Sequence, residues 1–557
     1  MSNVRRLLAL TLAAAILAIA VPMAGASAPA APLADQQPVK GPASVGVPAQ
    51  FSPAALPTAS GPVAARAQPL NTQDANAFAQ AKQAQAAQPV TGPAAAGPDN
   101  APADSASPAL AALGAAAELA GGSAESPSPA LPSSNKNFTG LTDTGWYPPD
   151  NGFAAGPSNL IEAVNEQVAV YGKNGARLLG PTQLYSWFGY SSSSNIFDPV
   201  IVYRGGHFYL VALYINSSTQ VSQILVSVSL TNSATGGWCN YVFNGEQAST
   251  NWADFPRVGV TTNRLLIATN QFNWSTGAFE QNFLQELPKA SLDTCSGFSY
   301  TYWYGFLNSD GSLGFTQVPA VDYDDFGGTA FYMTNAYWPG ASKVTVWRDV
   351  LGVGWQRYDV ATQAYNIPPD ARQPGTSTRI ATNDSRLLSA FKRYNQLWVA
   401  STTAYNPGCG FNIAALHLLA INAPASTSVA PSPGWDQYYW SDCNLDYYFP
   451  ASTPEGNGNM LFAFNRSSTG EYPNFRYAGW TYAQMPGQTV AGLYGSTRLG
   501  VAPGAFTNTT GRWGDYSGIS VDPQNQDFVW VSGELLQANN SWKTIIGRIY
   551  HRVPTPI

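Results

Sequence analysis

Charge is scarce in this chain. Asp, Glu, Lys and Arg make up 11% of its 557 residues, and the formal net charge is −6. About a quarter is usual for a globular domain. No stripe of Lys and Arg occurs, which excludes nucleic acid and disfavours anionic lipid, since both need clustered positive charge. Histidine is scarcer still: His207, His417 and His551 are the full set. They stand apart, and the cysteines lack C-x-x-C spacing, which argues against a zinc site. There is no G-x-S-x-G elbow, phosphate loop or dinucleotide fingerprint. No apolar run reaches the roughly 18 residues a membrane helix requires.

The longest apolar run, Leu7 to Val21, follows Arg5 and Arg6 and precedes small residues ending at Ala26 and Ala28. This pattern predicts a secretory signal peptide over 1–26, with ordinary secretion favoured over twin-arginine export. No Cys follows the run, so no lipoprotein anchor is expected. Residues 27–134 are dominated by Ala, Pro, Ser, Gly and Gln. Such a chain buries too little apolar surface to offset its ordering entropy, so a disordered spacer or a dispensable leader is expected. Export makes disulfides expected for the four cysteines. Of three pairings, Cys239–Cys295 and Cys409–Cys443 keep partners within about one repeat of each other.

What the rest of the chain holds is periodicity. Residues 135–557 are rich in Trp, Tyr, Phe, Val, Gly and Asn, with no linker between. A Pro- or Asp-bearing turn, an alternating apolar run, a polar turn and a second apolar run recur near Asp150, Asp198, Asp254, Asp322, Arg379, Phe449 and Asp515. The interval is roughly 50–70 residues, a spacing that predicts radially repeated sheets. An all-β fold, a β-propeller of seven blades with six as the alternative, is expected over 135–557. A β-sandwich array would show shorter spacing. Ala163–Tyr171 and Thr544–Tyr550 are the candidates for the joint that closes the ring.

Several segments resemble a family of large secreted bacterial β-propeller proteins of unassigned activity. PPDNGFAAGPSNLIEAVNEQVAVYGKNG (148–175) resembles the family's opening, with Asn151 directly after Asp150. DPVIVY (198–203) is similar to its "DP-V-x-YD" strand, with Arg204 in place of Asp. WADFPRVGV (252–260) resembles "DYPK-x-G-V". RWGDYSGISVDPQNQDFVWVSGEL (512–535), with WKTIIGRI (542–549), resembles "RWGDYS…VDP" followed by a final "W-x-T-x-I". The resemblance implies an extracellular propeller and assigns no reaction.

Two functional readings follow. The leading one is a non-catalytic binding protein, secreted or on a bacterial cell surface. It takes an extracellular glycan or protein, and a monomer is expected. Aromatic clusters invite sugar stacking, one over Phe298–Phe306 and one including Trp435, Trp440 and Phe449. A purely structural role in an envelope layer is a third reading. The alternative to binding is a sialidase-like glycoside hydrolase at the propeller mouth. Hydrolysis needs two carboxyl groups, and Asp198, Asp254, Asp322 and Asp515 at the repeat starts are the candidates. Arg257, Arg379 and Arg512 could hold a ligand carboxylate. Against this, the Asp-box pattern is missing, and such Asp and Arg residues commonly cap turns and pair between blades. No cofactor is expected. Calcium is left open, since Asp322, Asp324 and Asp325 cluster without a D-x-D-x-D-G loop.

Overall fold

The computed structural model describes residues 38–52, 54, 56, 66–67 and 132–551, the last with breaks at 192–194, 325–329, 351–353, 427, 482–494, 508–511 and 538–539. The expected signal peptide and most of the expected spacer lie outside the described residues.

Alternating apolar runs become antiparallel meanders. Five separate sheets are arranged as propeller blades. The first runs Gly152–Ala155, Asn159–Val164, Gln167–Gly172 and Arg177–Gln183. The second runs Asn195–Arg204, His207–Asn216, Val221–Ser229 and Trp238–Asn244. A third begins at Val318–Pro319 and ends at Gly354–Tyr365. A fourth spans Leu445–Pro454 to Thr497–Val501. The fifth joins Gly518–Val521, Val529–Leu536, Trp542–Tyr550 and Ser133–Thr142.

The expectation of seven blades, or six, is therefore corrected to five separate blades. The cause is local. Val321–Asp322 pairs in parallel with Val260 on one side and with Phe391 and Lys392 on the other. This short strand fuses the meander of 251–304 and the meander of 387–439 into one ten-stranded sheet.

The ring closes with strands from distant parts of the chain. Trp542–Tyr550 pairs with Ser133–Thr142. The expected C-terminal strand Thr544–Tyr550 lies in this joint, whereas Ala163–Tyr171 lies inside the first blade. The spacer boundary also moves. Val39–Val45 pairs with Phe298–Tyr304, and Ala49–Phe51 pairs with Trp238–Asn240, so this stretch forms edge strands rather than a disordered leader. An edge strand offers unpaired backbone donors and acceptors, which is what such a strap satisfies. Cys239–Cys295 joins the same two meanders, and Cys409–Cys443 forms the second disulfide.

The first strand of each meander lines the axis. There the chain has little room. A Cβ on Gly152 would lie 2.4 Å from the Pro199 carbonyl oxygen, and one on Gly259 would lie 2.7 Å from that of Ala320. The entrance to these strands carries a conformational repeat. Asp150, Asp198, Phe255, Thr316, Asn383 and Phe449 all adopt φ between 51° and 53°. Left-handed backbone is uncommon outside glycine and costs about 1 kcal/mol or more. At Asp198, Phe255 and Phe449 it coincides with a register shift between the first and second strands. Such a bulge re-aims side chains, here at one end of the axial channel.

A candidate active site at the channel mouth

The channel is narrow, with a cavity volume of about 90 Å³, and Asn151, Val200, Arg257, Val318, Ala390, Ala451 and Tyr516 are among the residues lining it. Its mouth collects acids and guanidinium groups from the strand entrances. Asn165 ties two of them. Its Nδ2 donates to Asp150 Oδ2 at 2.7 Å, and its Oδ1 accepts the Asp198 N–H at 2.8 Å. Asp198 Oδ2 accepts the Phe255 N–H at 3.3 Å. Asp150 Oδ1 accepts the Asp515 N–H at 3.2 Å. Asp515 accepts from Arg512 Nη2 at 2.6 Å and from Asn383 Nδ2 at 2.7 Å. These bonds join separate meanders, so the mouth is built by ring closure.

Arg257 and Arg386 differ in how their donors are used. Arg386 is clamped by Asp384, with Nε to Oδ1 at 2.7 Å and Nη2 to Oδ2 at 2.9 Å. Arg257 is 6% exposed, and its Cζ lies 4.3 Å from the Phe255 ring and 4.2 Å from the Tyr516 ring. Its Nε and Nη2 have no hydrogen-bond partner, nor does the buried Tyr516 hydroxyl. The rings pack against the guanidinium but leave in-plane donors for a planar anion.

Burial governs the electrostatics. It pushes Asp150 up to about 7, helped by the Asp515 charge and opposed by Arg512. It raises Asp254 to about 6, against the Phe255 N–H and the Arg386 and Arg512 charges. Asp198 stands well above the carboxylate range through burial and then the charges of Asp150, Asp254 and Asp515. Burial lowers Arg257 to about 10. Asp254 is the partly exposed member of the three acids. A carboxyl held near 6 can exchange a proton with a ligand at neutral pH.

The structure thus brings together Asp198, Asp254, Asp515, Arg257 and Arg512. It removes Asp322, which sits 3.6 Å from Lys392 in the fusing strand, beyond the left-handed entrance at Thr316. Arg379 is exposed beside the Ala371–Ile380 bridge, in the segment whose Ala381 pairs with Arg512. Trp435 is 5% exposed and packs edge-on against Trp480 at 4.7 Å, so it is core rather than a sugar platform. Trp440 is half-buried against Tyr405 at 5.6 Å. Asp150, Arg386 and Tyr516 were missed as site residues. Asp150 and Tyr516 lie within the segments that resemble the propeller family, whereas Arg386 carries no such sequence signal.

For calcium the fit is poor. Lys392 lies 3.2 Å from Asp324, whose oxygens also accept from the backbone of Tyr394 and Asn395. Asp325 lies outside the described residues. Among the described residues no group of three His, Cys, Asp or Glu side chains is placed to hold a metal. No described helix is long and apolar enough to cross a membrane.

No family model and no curated protein sequence matches the chain. Solved structures do resemble it. Trypanosoma rangeli sialidase in complex with the inhibitor DANA is 12% identical, with a TM-score of 0.33, covering 72% of this chain and 58% of that one. Phage phi92 endosialidase is 8% identical, with a TM-score of 0.36, covering 74% and 68%. The GH43 endo-arabinanase from Bacillus licheniformis is 11% identical, with a TM-score of 0.26, covering 51% and 97%. The chain spans less than two thirds of the length of the sialidase. At these identities and scores the likeness carries no functional argument.

Proposed function

We propose that this chain is an extracellular glycan-acting propeller, a glycoside hydrolase that takes an acidic sugar at the channel mouth. The observation that carries the reading is Arg257, buried with two donor nitrogens unpartnered in the mouth that also holds Asp254. A buried donor without a partner costs on the order of 1–3 kcal/mol, more when charged. A ligand carboxylate would remove that cost. Asp254 would protonate the leaving oxygen, and Asp515 is the nearby second carboxyl that glycoside hydrolysis commonly uses. The Tyr516 hydroxyl would bond the ligand. The two disulfides fit an oxidising compartment.

The second reading is the non-catalytic binding protein. It is favoured by the bonds that already occupy Asp150, Asp198 and Asp515. Assay of residues 38–557 against chromogenic glycosides of sialic and uronic acids, beside a glycan array, separates the two. Chromophore release that disappears in Asp254→Asn supports hydrolysis. Array binding without any turnover leaves the binding reading.

A further inference from the structure

We propose that Trp338 forms a second sugar subsite, so that the mouth takes an acidic oligosaccharide rather than a single terminal residue. The proposal rests on the reading of the mouth as an acidic-sugar site. Trp338 lies in the turn between Ala330–Ala336 and Ala341–Val350, and it is 40% exposed.

A continuous line of contacts runs from this ring to the axis. Trp338 lies 6.3 Å from the Phe315 ring. The Arg386 guanidinium lies 4.8 Å from Phe315 and 4.4 Å from Phe255. Arg257 then bridges Phe255 and Tyr516. Phe315, Phe255 and Tyr516 are each more than nine-tenths buried, so Trp338 is the ring of this line with a face open to solvent. The turn is pinned from the same side, since Ser385 Oγ donates to the Pro339 carbonyl at 3.1 Å, next to Arg386.

A second observation points to a hydroxylated ligand. Gln317, two residues after Phe315, is 3% exposed, and both polar atoms of its amide lack a partner. Buried amides are rarely left so, and a sugar hydroxyl can both donate to and accept from one. This amide follows by two residues the Phe315 that Trp338 packs against, and an indole face can stack on the C–H groups of a pyranose while an amide bonds a hydroxyl. With Arg257 holding the acidic residue at the axis, Trp338 carries another ring of the same glycan chain.

The test is titration calorimetry on the whole chain. The probes are the monomer and tetramer of sialic acid, and the monomer and tetramer of galacturonic acid. Native protein should bind one tetramer more tightly than its monomer. Trp338→Ala should lower the ratio of tetramer to monomer affinity about tenfold. Trp338→Phe should restore most of it, and Phe411→Ala, an exposed ring elsewhere, should not change it. A ratio unchanged in Trp338→Ala, with Arg257→Met abolishing binding of both probes, overturns the subsite and leaves the mouth reading intact. Failure of every probe to bind native protein overturns both.

Discussion

The guanidinium carbon of Arg257 lies 4.2 Å from the centre of the Tyr516 ring. Arg257 comes from the ten-stranded sheet, and Tyr516 comes from the entrance to the sheet that closes the ring. Arg257→Met keeps the packing against the ring and removes the donors. It should lower affinity for an acidic sugar by about a hundredfold, the scale of a lost charge-assisted contact. The melting temperature should move by only a few degrees, since an unpaired buried charge leaves with the donors. Calorimetry and thermal melts on the same preparation check both halves.

Asp254 gives the hydrolysis reading a pH signature. As a proton donor with its carboxyl raised to about 6, it is active while protonated. The rate should fall as pH rises through about 6, and Asp254→Asn should slow turnover by about 10²–10⁴. A pH–rate profile with no limb in that region would remove Asp254 from the donor role.

Asp150 bears on stability rather than rate. Its folded carboxyl titrates near 7, against an ordinary value of 3.8. Between those values the folded state holds a proton that the unfolded chain has released. Stability from this group is therefore full below about 4 and is lost as pH rises toward 7. Asp150→Asn should gain melting temperature relative to native protein at pH 8, with the gain shrinking at pH 5. A gain of equal size at both pH values would show that charge is not the cause.

The strap and the Cys239–Cys295 bridge act on one joint. Replacing both cysteines by Ser should cost about 2–4 kcal/mol, read as a lower melting temperature. Removing residues 38–52 should raise hydrogen exchange at 298–304 and 238–240, whose outer backbone groups would face water. Exchange unchanged at those strands would show that the strap contributes no protection.

Much of this architecture was legible because a meander repeats its chemistry. Asp198 and Asp254 were readable as convergent since each opens an apolar run that a short turn and a second apolar run follow. Asp322 had the same local look but sits beyond Thr316, the left-handed entrance of its own meander. The residues between them pass through Val318–Pro319 and into Val321–Asp322, which belongs to a different sheet. Arg386 was hidden because 378–381 reads as a first strand, whereas the axial strand is Leu387–Arg393. The fused sheet had no sequence signal, because two residues of parallel pairing at Val321–Asp322 follow from where the meanders meet, not from pattern. Trp435 and Trp440 show the limit of aromatic clusters: alternation along a strand sends half of the rings inward, and a cluster alone does not reveal which.

Closure by Ser133–Thr142 against Trp542–Tyr550 has a temporal consequence. During synthesis, Asp150 and Arg257 emerge long before Arg512, Asp515 and Tyr516, so no nascent intermediate owns a complete mouth. A chain cut short near residue 510 would be left with an open ring and an unassembled mouth.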